Sequence, residues 1–310
     1  MSLQEIHDLY HTGNLDKAEF AAAMQLVHRQ LLDYAGYLPR TDISGIEITE
    51  GRVVLTVRST GVKLRYDDPS DQYCALTLLN FGDYEVHESK MLFDMVRATA
   101  GDAPFTFLDI GANFGWYALT MAKVFPAAKV HAFEPLPDTF LNLKKNLDLN
   151  GFSNVWIHHL GFMEREGTQV FYFDPQISGR ASARNLVEDP AASPIPCTVT
   201  KLDTFVRAHT LRPDFIKVDV EGAELAVFQG GLETLRTYRP VILTEMLRKW
   251  ARKFGYHPNE LMELLGGLGY QCFFLEDGRL VELQVMTEAV MAINFFFLHP
   301  EKHARLLAAP

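Results

Sequence analysis

Phe105-Thr-Phe-Leu-Asp-Ile-Gly-Ala-Asn-Phe-Gly115 is an apolar run of strand length that stops at a glycine turn, and Trp116 to Val124 follow with helical apolar spacing. The stretch therefore reads as strand, turn, helix. Gly111 and Gly115 carry no Cβ, so the backbone of the turn can approach a ligand closely. The helix that follows offers N–H groups without intrahelical partners. This turn is a cradle for a small molecule.

The glycine spacing selects among cofactors. A dinucleotide turn reads G-x-G-x-x-G, whereas here Ala112, Asn113 and Phe114 separate the two glycines and Asp109 stands two residues before the first. The pattern D-x-G-x-x-x-G favours S-adenosylmethionine over NAD. Lys129-Val-His-Ala-Phe-Glu134-Pro135 reads as a second strand ending in a carboxylate. Such a group can accept both hydroxyls of a ribose.

Working outward, a length of 310 residues predicts about two domains, or one α/β domain with an extension. A composition of 48% hydrophobic and 22% charged residues is that of an ordered globular chain. The formal charge of −10 argues against nucleic acid or an anionic membrane as the main partner. Cys74, Cys197 and Cys272 are isolated from one another, which supports neither a disulfide framework nor a zinc site and predicts reduced thiols. The start Met1-Ser-Leu-Gln-Glu-Ile-His-Asp lacks a secretory pattern, and the apolar run Ala289 to Leu298 is too short to span a bilayer as a helix. A cytoplasmic protein is expected.

Leu3 to Tyr10 and Asp16 to Tyr34 read as two helices, suited to a lid, a homodimer contact or a packing extension. Alternation at Ile46 and Ile48, at Val53, Leu55 and Val57, and at Val62, Leu64 and Tyr66 predicts a small antiparallel meander. The expected division is 1–80 for these helices and strands and 81–310 for the main domain. From residue 105 strands and helices alternate, which predicts a mostly parallel sheet covered on both faces. Pro135 to Asn150 and Ala223 to Leu235 read as helices, and Val155 to Leu160 as a third strand. Gln169 to Phe173 and Ile195 to Thr200 read as extra strands around an irregular segment with Arg180 and Arg184, either a substrate loop or a solvated linker.

Asp214-Phe-Ile-Lys-Val-Asp-Val-Glu-Gly222 reads as a fourth core strand, with Lys217, Asp219 and Glu221 on one face by its two-residue period. Charges inside a parallel strand are costly unless paired or in use. Pro240 to Glu245 is a fifth strand that ends in another carboxylate. The basic run Arg248, Lys249, Arg252, Lys253 follows it, suited to an anionic acceptor or to a solvated helix face.

Taken together, Asp109 to Gly115, Phe133-Glu134-Pro135, Asn146 and Asn150, Leu202-Asp203, Lys217 to Glu224 and Glu245 resemble the motifs of the FkbM family of S-adenosylmethionine-dependent methyltransferases. Tyr84-Glu85 resembles that family too, and the likeness covers roughly residues 82 to 300. The resemblance implies a class I methyltransferase (Rossmann-like) fold, with a seven-stranded sheet whose last strand is antiparallel, beyond the N-terminal helices and meander. Tyr270 to Leu275 and Ala292 to Leu298 supply its last two strands, with a further turn or strand at Leu280 to Val285.

Motifs and resemblance together assign cofactor binding to Glu85, Asp109, Gly111, Ala112, Asn113, Gly115, Glu134, Pro135, Gly161 and Asp219, and catalysis to Asp219, Glu221 and Glu245. The sulfonium methyl of S-adenosylmethionine is already electrophilic, so the chain must align an acceptor oxygen and dispose of its proton. Asp219, Glu221 and Glu245 are suited to act as base, to orient the cofactor's ammonium group, or to hold Mg²⁺ through oxygen. The implied activity is O-methylation of a hydroxyl on a sugar, glycan or secondary metabolite. N-methylation of a small molecule, a non-catalytic S-adenosylmethionine-binding protein and, disfavoured by the glycine spacing, a nicotinamide-dependent oxidoreductase remain as alternatives.

Overall fold

A computed structural model describes residues 1–66, 75–173, 181–183 and 193–308. Arg180 and Arg184 of the irregular segment, and also Cys74, lie outside them. Cys197 and Cys272 are free thiols, both buried.

Two capped helices open the chain, α1 (Leu3–His11) and α2 (Lys17–Tyr37). Ser2 with Glu5 and Asp16 with Glu19 form capping boxes that satisfy the first N–H groups. The predicted meander follows as β1 (Ile43–Thr49), β2 (Arg52–Val57) and β3 (Lys63–Arg65), then α3 (Ala75–Phe81) and α4 (Val86–Thr99). Next come β4 (Phe105–Ile110), α5 (Trp116–Val124), β5 (Ala128–Phe133), α6 (Pro137–Asn150) and β6 (Val155–His158). A smaller sheet follows, made of β7 (Gly161–Phe162), β8 (Gly167–Phe173), β9 (Ala181–Ser182) and β10 (Ser193–Thr200). The chain re-enters the main sheet through α7 (Leu202–Ala208), β11 (Phe215–Val218), α8 (Glu224–Gln229), α9 (Leu232–Tyr238) and β12 (Val241–Glu245). It ends with α10 (Arg248–Phe254), α11 (Pro258–Gly266), β13 (Gln271–Glu276), β14 (Arg279–Glu282), β15 (Asn294–Leu298) and α12 (Pro300–Leu307).

The main sheet has the order β14-β13-β15-β12-β11-β4-β5-β6. Pairing is parallel from β12 to β6, and β15 runs antiparallel to both β12 and β13. This is the class I methyltransferase order, with one strand more than expected. The seven-stranded expectation is corrected by β14, which hairpins onto β13. Asp277 and Gly278 both take positive φ, +48° and +75°, the backbone of a tight two-residue hairpin turn.

Alternation along the strands builds two cores. Phe107, Val130, Phe215 and Leu243 face α4, α5 and the meander, while Leu108, Ile110, Phe133, Val218 and Ile242 face α7, α8, α9 and α11. Ile43, Leu55, Val57, Val62 and Leu64 of the meander share the first of these cores. Asn146 and Asn150 tie α6 to the meander: their side-chain oxygens accept from Arg65 N–H and Lys63 N–H, each at 2.9 Å.

The single helix expected over Ala223 to Leu235 is in fact two. A Cβ on Gly230 would stand 2.3 Å from the Met163 carbonyl oxygen, and one on Gly231 2.7 Å from Leu202. The break lets the backbone press against β7 and α7, a closeness that helical spacing does not reveal.

Candidate active site

Asp109, next to last in β4, stands in direct register with Lys217 on β11. Two residues on, Gly111 takes φ +78°, and a Cβ there would stand 1.8 Å from the Asp219 carbonyl oxygen. Only glycine fits this crossing. Gly115 takes φ +98° at the start of α5, where a Cβ would meet Leu143 at 2.7 Å. Ala112 between them is buried, and Asn113 adopts φ +49°.

The turn is held from below. Asp109 has no exposed surface; its Oδ2 accepts from Ala118 N–H in the first turn of α5 at 2.9 Å. Lys217 Nζ donates to the Gly111 carbonyl at 3.0 Å and lies 3.3 Å from Asp219 and 3.7 Å from Asp109. Burial opposes a charge on Lys217, but Asp219, Asp109 and Glu85 outweigh it and hold the ammonium well above its usual range. Burial pushes Asp109 up, and its Oδ1 has no hydrogen-bond partner among the described residues.

Glu134 ends up at the mouth of the turn. Its Oε2 accepts from Asn113 N–H and its Oε1 from Leu136 N–H, each at 3.1 Å. Each oxygen keeps a lone pair for another donor. Burial raises this carboxyl to about 7, against the pull of those two backbone donors. Pro135 lies against Gly161, where a Cβ would stand 3.3 Å from the proline ring.

Glu85 precedes α4 at φ +44°, and Tyr117 donates to its Oε2 at 2.5 Å. Burial, reinforced by Asp219, raises Glu85 to about 7. Asp219, Glu221 and Glu245 bring carboxylate oxygens within 4.8 Å of one another. Lys217, Asp219 and Glu221 do not share a strand face as the two-residue period predicted: β11 stops at Val218, and Glu221 turns to φ +52°. The cluster forms because β11 and β12 are neighbours in register, Val218 beside Thr244. Burial raises Glu245 above its usual range, and Asp219, Glu221, Glu224 and Glu85 add to the shift.

Three residues without a sequence-derived role support this site. Glu224 caps the loop after β11, accepting from Val220 N–H at 3.2 Å and Gly222 N–H at 3.0 Å, and Tyr256 donates to it at 3.1 Å. Its place in the motif Glu221-Gly-Ala-Glu224 was the available signal. Tyr117 looked like an ordinary apolar position of α5, and nothing in the spacing marks its bond to Glu85. Tyr84, flagged only in the pair Tyr84-Glu85, stands at near right angles to Phe114 and Trp116, with ring centres 5.5 and 5.4 Å away.

In the basic run, Arg248 is taken up by the carbonyls of Thr287 and Val290 and by Glu288. Lys249 lies over the Trp250 ring at 4.4 Å.

The methyltransferase FkbM domain matches residues 109–272, more than half of the chain. The chain belongs to the FkbM methyltransferase family. Among its relatives, Methyltransferase 1 of Beauveria bassiana is 30% identical over 152 residues, covering 41% of this chain and 60% of that protein. Hexuronic acid methyltransferase AglP of Haloferax volcanii is 30% identical over 135 residues, covering 44% and 53% respectively. The FkbM chain thus spans little more than half the length of these relatives. A methyltransferase FkbM structure from Methylobacillus flagellatus overlays with a TM-score of 0.40 at 16% identity, covering 63% of this chain and 43% of that one. The fold assignment rests on strand order and family, not on that overlay. No helix among the described residues is long and apolar enough to cross a membrane.

Proposed function

We propose that this FkbM-family chain is an S-adenosylmethionine-dependent O-methyltransferase whose acceptor is a hydroxyl of a sugar, glycan or secondary metabolite. The observation that carries the reading is Glu134, a buried carboxylate beside the Gly111 crossing with one lone pair left on each oxygen. Those lone pairs suit the two hydroxyls of a ribose, and the missing Cβ of Gly111 suits close approach of a ligand to the backbone. The name of the Haloferax relative supports a sugar acceptor.

S-adenosylmethionine, when bound, supplies an electrophilic methyl group. The chain's own residues do the rest. Glu134 takes the ribose hydroxyls, while Asp219 and Glu85 attract the amino-acid ammonium group. Gly115, Asn113, Ala112, Pro135 and Gly161 shape the cradle, and Asp109 with Lys217 fixes it from beneath. Glu245 has no hydrogen bond or ion pair to its carboxylate among the described residues, and with its raised pKa it is suited to receive the acceptor's proton. Glu221 lines the same space.

Calorimetric titration with S-adenosylhomocysteine, beside NAD and with or without Mg²⁺, tests the cofactor. Glu134→Ala should weaken S-adenosylhomocysteine binding by about ten- to a hundredfold, the loss expected for two hydrogen bonds to a charged group. Unchanged binding would sink the assignment of Glu134.

A further inference from the structure

Glu85 stands at the N-cap of α4, yet its carboxylate caps nothing there. An acidic N-cap side chain ordinarily accepts from the first N–H groups of its own helix. Here the backbone takes φ +44°, an uncommon conformation for a residue with a Cβ, and the side chain is given to Tyr117 of α5 instead. Strain of that kind persists only where the surrounding structure holds it, and it gathers at functional sites.

Tyr117 is buried and follows Gly115 by two residues, in the first turn of α5. Its hydroxyl donates to Glu85 Oε2 at 2.5 Å, the length of a short charge-assisted bond. Burial holds the phenol above its usual range, and Glu85 adds to the shift, so the proton of this bond stays on the tyrosine. The Tyr117 ring lies 5.4 Å from Lys217 Nζ, within reach of a cation on an aromatic face. That ammonium in turn is 3.3 Å from Asp219 and 3.0 Å from the Gly111 carbonyl. One side chain thus ties Glu85, which precedes the main sheet in the chain, to the glycine turn. Glu85 is half-buried, and its Oε1 takes no hydrogen bond or ion pair among the described residues.

We propose that Tyr117 is a positioning residue for the amino-acid end of the cofactor: by holding Oε2 of Glu85 it leaves Oε1 as the oxygen that receives the ammonium group. The inference rests on the proposed methyl-transfer reading and deepens it. The nucleoside end belongs to Glu134 on a different strand, so the two ends of S-adenosylmethionine answer to different side chains. Removing the Tyr117 hydroxyl keeps the ring in place over Lys217 but frees the Glu85 carboxylate to turn, and the ordering must then be supplied on binding.

The test uses the full chain and two probes titrated calorimetrically. S-adenosylhomocysteine carries the ammonium group, whereas methylthioadenosine keeps the adenine and ribose and lacks the amino acid. Tyr117→Phe should weaken S-adenosylhomocysteine about tenfold, the size of one hydrogen bond to a charged group, and leave methylthioadenosine binding unchanged, which also shows the variant to be folded. Glu85→Gln should weaken the same probe, and the double variant should bind it no worse than Glu85→Gln alone, because Tyr117 acts through Glu85. Unchanged S-adenosylhomocysteine binding in Tyr117→Phe, equal losses for the two probes, or losses that add in full in the double variant overturn the inference. Failure of the unsubstituted chain to bind S-adenosylhomocysteine, or methylthioadenosine with its intact ribose, instead overturns the proposed function beneath it.

Discussion

The two ends of the main sheet handle charge in opposite ways. At the carboxyl ends of β4, β5, β11 and β12, Asp109, Glu134 and Glu245 are pushed upward by burial, and one Asp109 oxygen, 3.7 Å from Lys217, has no hydrogen bond among the described residues. At the amino ends, a cavity of about 570 Å³ lies between β4, β11, β12, α4 and α12, and Asp214, Lys302 and Glu301 in its lining are each answered. Asp214 accepts from Thr106 N–H at 3.0 Å, Lys302 donates to the Tyr238 carbonyl at 2.6 Å, and Arg239 pairs with Glu301 at 2.7 Å. The buried His299 Nδ1 has no hydrogen-bond partner among the described residues. A fold that can satisfy charges at one end and leaves them short at the other is holding that second end for something else.

The sharpest way to break this contrast is at the crossing itself. Gly111→Ala forces a Cβ into the Asp219 carbonyl and should cost about 4 kcal/mol or more, near the top of the range for single substitutions. Urea denaturation measures it. A loss below 1 kcal/mol would mean that the turn and the end of β11 are not in contact. Lys217→Met comes next: it strands Asp109 beside Asp219 and should destabilise by about 3 kcal/mol at neutral pH, with less loss in acid as Asp109 takes up a proton.

Glu224 tests the electrostatics by pH. Burial raises it to about 7 from its ordinary 4.5. The unfolded chain therefore loses this proton first, and stability contributed by Glu224 falls as pH rises from about 4.5 through 7. The stability of the unsubstituted chain relative to Glu224→Gln should drop by about 2 kcal/mol between pH 5 and pH 8, read from paired urea titrations. A difference that does not change with pH would mean that Glu224 is not raised. The smallest effect belongs to the amino end. Arg239 and Glu301 are exposed, so Arg239→Ala should cost less than about 1 kcal/mol. A larger loss would erase the distinction between the two ends.

Much of the fold was legible because it is written locally. Strand β4, the glycine turn and α5 follow from a run, two glycines and a helical period in one stretch, and the Asp277-Gly278 turn carries the signal for the eighth strand. What escaped was set by closeness between distant segments. Helix α8 breaks at Gly230 because the Met163 carbonyl just after β7 lies there, and α9 begins where Leu202 of α7 presses on Gly231.

The candidate site divides the same way. Glycine at position 111, a carboxylate at 134 and the charged run from Lys217 to Glu224 are properties of the sequence itself, because backbone freedom and side-chain charge belong to single residues. That Asp219, Glu221 and Glu245 form one cluster, that Tyr117 binds Glu85, and that Lys217 reaches both Asp109 and the Gly111 carbonyl were decided only by the tertiary structure. Distance and desolvation arise when β4, β11 and β12 are laid side by side, and no spacing along the chain contains them.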